Sequence, residues 1–433
     1  MSTLSITVAG DRIPDLELPP ERRVDGGSGW VRRLGHLLTL HLPGTASLTD
    51  ATEPGITVHK LRERWCDDVL LAQTDVVLLH LGLSDAWGSC DRSDPYAKDP
   101  TTTVAVLEDL LARTRERSPR TRVILVEPCL GSLDSSPHRN GPLQAALAPY
   151  IAALRDLATR LGLDWLPAGR LIAEAKQLRH DEDWLGWEAI GLDTCGSMLL
   201  ADAALRLVAG LPLAPPTMLG AGQTMLLIGD SITDAGRRGP ARPMGAGYAR
   251  MLQGLQAARE PAKPVRFINK GIGGDTIVDI ESRWERDALH QRPDWLLLYT
   301  GINDLNSTYG RRVAVTPEVY RAGLQRCLGA ARAAQPDLRL VVVAPFLLSR
   351  DDLPDSYRHE VLQRLPGYSG AAAEVARSLD ARFVDLQAVM RPLMERVGNR
   401  ALGSNLGADT VHPSELGCLA IAEALYAALL VRS

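Results

Sequence analysis

The sequence predicts two consecutive α/β domains, each a parallel sheet covered by helices on both faces. Three observations carry that prediction. In the second half, apolar runs at 225–229, 265–269, 295–300, 339–346 and 382–386 alternate with helical stretches near 246–259, 276–290, 316–335, 369–380 and 414–430. Strands separated by helices of that length pair in parallel, because a parallel connection needs a crossover long enough to hold a helix. Next, Leu211-Pro212-Leu213-Ala214-Pro215-Pro216-Thr217, followed by Gly220-Ala221-Gly222, interrupts the pattern and reads as a linker. Finally, the two sides of that linker repeat each other. Aligned without gaps, Gly55 to Asp85 and Gly274 to Asp304 share 11 of 31 positions, where chance gives roughly two. The shared positions include Arg64/Arg283, Trp65/Trp284, Asp68/Asp287, Asp75/Asp294 and Gly82/Gly301. The boundaries that follow are a domain over 1–210, a linker over 211–223 and a domain over 224–433.

Length and composition agree. A chain of 433 residues has room for two to three domains. With 45% hydrophobic residues and a net charge of −4, it shows no sign of a nucleic-acid partner or of binding an anionic membrane surface. The stretch Met1 to Glu21 lacks the basic patch and apolar core of a signal peptide, and no run of ~18 apolar residues occurs. A cytoplasmic location is therefore expected. Cys66, Cys90, Cys129, Cys195, Cys327 and Cys418 are scattered with no Cys-x-x-Cys pair, which points to buried free thiols rather than a zinc site or disulfide framework.

The chemistry-bearing residues follow the strands in order. Leu227-Ile228-Gly229-Asp230-Ser231-Ile232-Thr233-Asp234 is an apolar strand that ends in a turn carrying a serine. A hydroxyl becomes a useful nucleophile when it is exposed, held rigidly, and placed beside a base and oxyanion donors. The end of a central parallel strand meets the first two needs, and a helix N-terminus there favours an anionic intermediate. By itself, Gly-Asp-Ser is equally an ordinary turn. After the second apolar run comes Gly271-Ile272-Gly273-Gly274-Asp275-Thr276, where glycine lets the backbone approach a ligand and aim an N–H at it. The third run ends in Gly301-Ile302-Asn303-Asp304, and Asn303 offers a side-chain N–H. Near the C-terminus, Asp409-Thr410-Val411-His412-Pro413 places a carboxylate three residues before a histidine, able to accept the Nδ1 proton and leave Nε2 as base. Asp304 reads as a turn or cap residue, Asp230 as a hydrogen-bonded scaffold residue, and His290 and His359 as members of solvated helix faces.

This ordered set resembles the SGNH hydrolases, also called GDSL esterases, whose four blocks carry a Ser, a Gly, an Asn and an Asp-x-x-His. The resemblance implies Ser231 as nucleophile, His412 as base and Asp409 as its orienting carboxylate. Ser231, Gly274 and Asn303 would be the oxyanion donors. It also implies a three-layer α/β/α fold with five parallel strands in flavodoxin-like order, and a serine-esterase mechanism that needs neither metal nor cofactor. The longer context, Gly229 to Arg237 with Gly247-Tyr248, Asn269-Lys270-Gly271, Arg283-Trp284 and Gly301 to Asp304, is similar to the family's intracellular acetylesterase branch, which deacetylates xylo-oligosaccharides. That implies a small acyl ester, acetylated saccharide above all, as substrate. Small-substrate members often carry an aromatic residue just after Gly-Ile-Asn-Asp and another before the Asp of Asp-x-x-His. Here Leu305-Asn306 and Ala408 stand in those places, which leaves the pocket wall open or completed by the first half.

At the same offset of 219 the first half has lost these groups. Arg12 stands in place of Ser231 and Ser84 in place of Asn303, while matching Gly196 to Gly417 puts Glu188 and Gly191 in place of Asp409 and His412. An always-charged guanidinium cannot attack a carbonyl. The first half therefore reads as a catalytically inactive copy, either a structural partner packed on the second half or a binding module using Arg12. A homo-oligomer is also compatible with the sequence. A broader carboxylesterase, thioesterase or lysophospholipase stays open, because fold does not fix substrate. So does a sugar-binding or scaffold protein with vestigial activity.

Overall fold

Ten short strands form two separate five-stranded sheets in the computed structural model, and every strand pair in both is parallel. The structure describes residues 3–12, 29–90, 99–130, 140–178, 192–239, 243–307, 314–350, 356–404 and 409–431. Contacts divide the chain into two units. One is Met1–Ala214 with Ala257–Pro261, and the other is Pro215–Gln256 with Ala262–Ser433.

The first unit contains β1 (Leu4–Asp11), β2 (Ala46–Glu53), β3 (Val76–His80), β4 (Arg122–Val126) and β5 (Asp164–Leu166), in the order β2-β1-β3-β4-β5. The second contains β6 (Thr224–Gly229), β7 (Arg266–Asn269), β8 (Trp295–Tyr299), β9 (Arg339–Ala344) and β10 (Arg382–Asp385), in the order β7-β6-β8-β9-β10. This is one topology used twice, the flavodoxin-like order. The central strands are apolar on both faces, and Met225 to Ile228 and Trp295 to Tyr299 are all buried. A strand buried on both sides reads as a continuous apolar run, and its sheet must carry helices on each face.

The repeat extends to individual hydrogen bonds. Asp75 accepts the N–H of Ser5 at 2.8 Å, and Asp294 accepts that of Thr224 at 2.8 Å, so an acid before the third strand ties down the start of the first in each unit. Thr57 and Thr276 cap the helices Val58–Trp65 and Ile277–Ser282. A threonine hydroxyl there satisfies an otherwise orphaned helix N–H.

The strands of the second half lie within two residues of the expected positions. The helices differ more. The helix expected near 369–380 begins at Tyr357 and runs to Ser378, and a further helix, Leu386–Val397, was not anticipated. Both contain a proline, Pro366 and Pro392, which reads locally as a helix breaker. The buried faces, among them Val361, Leu365, Tyr368 and Val375 in one and Leu386, Met390 and Leu393 in the other, override that preference. The stretch near 276–290 divides into Ile277–Ser282, Trp284–Asp287 and a 3₁₀ turn at Leu289–Gln291. Two cysteines also depart from expectation: Cys66 and Cys90 are exposed, while the other four are buried, all six as free thiols. Among the described residues, no helix is long and apolar enough to cross a membrane.

β6 and β8 pack tightly where they meet at Gly229, as β1 and β3 do at Gly10. A Cβ on Gly229 would stand 2.2 Å from the Tyr299 carbonyl oxygen and 2.4 Å from Thr233 Oγ1. Gly329, inside the helix Pro317–Ala334, has nothing within 4 Å of its Cβ position. Gly229→Ala should therefore lower unfolding free energy by about 2–3 kcal/mol, whereas Gly329→Ala should raise it by about 0.5–1 kcal/mol. Urea denaturation of both variants checks this, and equal effects would contradict it.

Candidate active site

Ser231 leaves β6 after two residues and opens a single helical turn, Ser231–Asp234, that ends at Ala235 with φ 42°. The helix N-terminus expected here is present but belongs to a single turn, so its macrodipole contribution is small. Asp230 fixes the turn: its Oδ1 accepts the Ile232 N–H at 3.0 Å. Thr233 Oγ1 and Tyr248 Oη lie 2.9 Å apart beneath it.

Across the site, His412 Nε2 is 2.8 Å from Ser231 Oγ, and His412 Nδ1 is 2.7 Å from Asp409 Oδ2. Asp409 Oδ1 accepts the backbone N–H groups of Val411 and His412, each at 2.9 Å. Partial burial pushes the Asp409 carboxyl up. The two backbone hydrogen bonds, the imidazole bond and the imidazole charge outweigh it and hold the carboxyl below its ordinary value. An ionised carboxylate only accepts, so Nδ1 carries the proton and Nε2 is left to accept from the serine hydroxyl. The short loop is held from several sides. Leu348 N–H donates to Thr410 O at 2.8 Å and Ser404 N–H to His412 O at 2.9 Å. Ser414 caps the buried helix Glu415–Ala428.

The second block is drawn onto the first. Asn269, at the end of β7, donates from Nδ2 to Thr233 O at 2.6 Å and Met244 O at 2.9 Å, and accepts the Gly271 N–H at 2.8 Å. Gly273 N–H reaches Asp234 Oδ2 at 3.1 Å, and a Cβ on Gly273 would stand 3.7 Å from Ser231 Cβ. Gly274 follows with φ 86°, a backbone state that favours glycine. The third block joins through Asn303, whose Nδ2 donates to Asp275 O at 3.1 Å. One amide N–H of Asn303 is thus used to orient the group and the other is available. These residues follow β6, β7 and β8, three neighbouring strands, at their carboxyl ends where the chain order switches direction.

Ser231, Asp409 and His412 therefore meet directly, Gly274 belongs to a loop bonded to the serine turn, and Asn303 to a segment bonded in turn to that loop. Of the two roles expected for Asp304, turn or cap, the structure gives the second. Asp304 is fully buried and accepts the Ile277 N–H at 2.8 Å, so it caps a different helix and couples the third block to the second. Burial pushes its carboxyl up to about 7, and burial does the same for Asp230, also to about 7. His290 is exposed on a 3₁₀ turn beside Glu285, and His359 is half-buried on a helix beside Gln363. Sequence reasoning missed Asn269 and Asp234, whose signal is a polar residue beside an apolar run. It also missed Tyr357. Asn306, one helical turn from Asn303 and on the same face, accepts a hydrogen bond from the Tyr357 hydroxyl, whose half-exposed ring comes from a distant helix. Leu305 is fully buried and so forms no pocket wall. Ala408, Glu188 and Gly191 lie outside the described residues. Among the described residues, no group of three or more His, Cys, Asp or Glu side chains is placed to hold a metal ion.

The corresponding place in the first unit is filled from within. Gly55 N–H and Ser84 N–H donate to the two carboxylate oxygens of Asp11 at 3.2 and 2.8 Å. Arg12 folds back onto β2, donating to Thr52 Oγ1 at 3.0 Å and Thr52 O at 2.7 Å. Asp85, the counterpart of Asp304, accepts the Val58 N–H at 3.3 Å, so the scaffold bond persists where the serine does not.

The model of the GDSL-like lipase/acylhydrolase family matches twice, over residues 5–188 and 227–419. An acetylxylan esterase of Geobacillus stearothermophilus is 32% identical over 213 residues, 48% of this chain and 93% of that protein. The crystal structure of Axe2, an acetylxylan esterase from Geobacillus stearothermophilus, is 29% identical, covers 49% of this chain and 97% of its own, and superposes with a TM-score of 0.43. LAE5, an alpha/beta hydrolase from the metagenome of Lake Arreo, is 26% identical over 49% of this chain and 98% of its own, with a TM-score of 0.44.

The raised pKa of Asp304 makes a stability prediction. The folded state holds a proton between the unfolded carboxylate value near 4 and the folded value of about 7. Stability conferred by that proton is complete below about 4 and is lost as pH rises through 7. Asp304→Asn lacks this dependence. Relative to wild type, the variant should therefore gain up to about 4 kcal/mol between pH 4 and pH 8. Urea denaturation at the two pH values measures it, and a constant difference would contradict it.

Proposed function

This chain belongs to the GDSL-like lipase/acylhydrolase family, and on that premise we propose that it is a serine esterase acting through Ser231, His412 and Asp409 in its second half. One observation carries this reading: the continuous chain from Ser231 Oγ to His412 Nε2 at 2.8 Å and from His412 Nδ1 to Asp409 Oδ2 at 2.7 Å. His412 takes the Ser231 proton as Oγ attacks the ester carbonyl, while Asp409 fixes the tautomer and stabilises the imidazolium. The carbonyl oxygen becomes an oxyanion, which accepts from the N–H groups of Ser231 and Gly274 and from the second Asn303 amide N–H. His412 then gives its proton to the departing alcohol. A water, deprotonated by the same imidazole, hydrolyses the acyl-enzyme.

The substrate we propose is a small acyl ester, an acetyl group on a carbohydrate. The name of the 32% identical relative, acetylxylan esterase, supports that choice. Tyr357 adds a physical reason, since a half-exposed ring with its hydroxyl anchored on Asn306 presents an apolar face of the kind that packs on a sugar ring. The first half, 1–210, we read as an inactive copy joined by the 211–223 linker. Its N–H groups at Gly55 and Ser84 are committed to Asp11, and Arg12 is committed to Thr52.

A series of p-nitrophenyl esters from acetate to octanoate tests both levels of the proposal. Wild type should favour acetate, and Ser231→Ala should lose about 10⁴-fold or more in kcat. Equal acetate hydrolysis by Ser231→Ala would remove the nucleophile assignment, and a preference for octanoate would remove the acetyl assignment.

A further inference from the structure

Arg283 is a buried cation behind the site. Its side chain is 7% exposed and makes four hydrogen bonds. Nε donates to Asp275 Oδ2 at 2.7 Å, and Nη1 donates to Asp287 Oδ2 at 3.0 Å and to Lys270 O at 2.8 Å. Nη2 donates to Gly229 O at 3.2 Å. Two carboxylates already answer the charge, which a buried guanidinium requires. The bonds to two carbonyls do something further. Gly229 lies two residues before Ser231, at the end of β6, and Lys270 opens the loop that contains Gly274. Asp275 is the residue after Gly274, and its own carbonyl accepts the Asn303 amide at 3.1 Å. A single rigid fork thus bonds to the strand end that carries the nucleophile, to both sides of the oxyanion loop, and through Asp275 to the third donor.

The first half supplies an internal control. Arg64 occupies the position of Arg283 in the repeat, yet its side chain is 40% exposed. It pairs with Glu53, which stands where Ile272 does, and with Asp68 at 3.1 Å. The arginine is present in both copies and turns inward onto backbone carbonyls in the one that retains the serine.

We infer that Arg283 is a positioning residue for the esterase reaction: it sets the register between Ser231 and the oxyanion donors Gly274 and Asn303. The inference rests on the reading of Ser231 and its donors given above. Lysine preserves the charge but cannot span the fork's partners. Misplacing donors relative to a developing oxyanion lowers kcat and leaves ground-state binding largely intact.

The test uses full-length Arg283→Lys, with Arg64→Lys and Ser231→Ala alongside, and reads melting temperature, kcat and KM on p-nitrophenyl acetate and inhibition by phenylboronic acid, which forms a tetrahedral adduct. Arg283→Lys should stay folded, lose about 10²-fold in kcat with KM changed by less than about threefold, and bind the boronic acid correspondingly weakly. Arg64→Lys should keep wild-type kcat. If Arg283→Lys does not fold, Asp275→Asn, which loosens the same fork while Asp287 still pairs with it, should lose roughly tenfold or more in kcat at unchanged KM. A folded variant with kcat within about threefold of wild type, a loss carried by KM, or an equal loss in Arg64→Lys would overturn the inference. An active Ser231→Ala would instead overturn the reading beneath it, so the two failures are distinguishable.

Discussion

The β6–β8 pair approaches so closely at Gly229 that the Tyr299 carbonyl occupies the space a side chain would need, and the remaining site geometry depends on that contact. β6 ends at Gly229, the one-turn helix begins two residues later at Ser231, and the Gly229 carbonyl faces the next loop. That carbonyl accepts the Ile272 N–H at 3.0 Å and the Arg283 guanidinium at 3.2 Å. The segment after β7 is therefore bonded to the segment after β6 before any side chain of the proposed mechanism is considered. Long-range placement of Ser231, Gly274 and Asn303 follows from sheet topology, and their short-range placement from these few backbone bonds.

Electrostatics completes the arrangement at a cost in stability. Asp230 and Asp304 are fully buried, and burial raises both carboxyls to about 7. A buried acid is retained when its hydrogen bonds organise something, and here each holds a backbone N–H at the start of a helical turn, Ile232 and Ile277. Asp409 differs, since its hydrogen bonds keep it ionised beside His412. The first unit shows what the same scaffold does without a serine. Asp11 takes the N–H groups of Gly55 and Ser84, and His80, which stands where Tyr299 does, donates from Nδ1 to the Asp11 carbonyl at 2.7 Å. The N–H groups that an anion could use are answered internally, and Asp85 retains its bond to Val58.

Much of this was legible in the sequence for physical reasons. Doubly buried strands such as Met225–Ile228 have to be continuously apolar, and the turn chemistry at Gly229, Gly274 and Gly301 marks their ends. Ser231, Gly274, Asn303, Asp409 and His412 could be named because each stands at a strand or loop end with a residue type suited to its position. What escaped was whatever depended on contacts distant in sequence. Pro366 and Pro392 hid helical segments whose stability comes from packing. Asp304 reads locally as a turn or cap residue with no indication of which helix it caps, because its partner, Ile277, lies 27 residues away. Arg283 and Tyr357 carry no local signature of the carbonyls or the asparagine they reach.

We propose that this protein forms one acyl-enzyme, on Ser231 alone. The most direct measurement is mass spectrometry of the intact chain and its peptides after reaction with an organophosphate such as p-nitrophenyl diethyl phosphate, with residual esterase activity followed in parallel. One phosphoryl group per chain is expected, located on the peptide containing Ser231, with activity lost in proportion to labelling. A label elsewhere, including on the first half, or full labelling of Ser231 with activity intact, would contradict it.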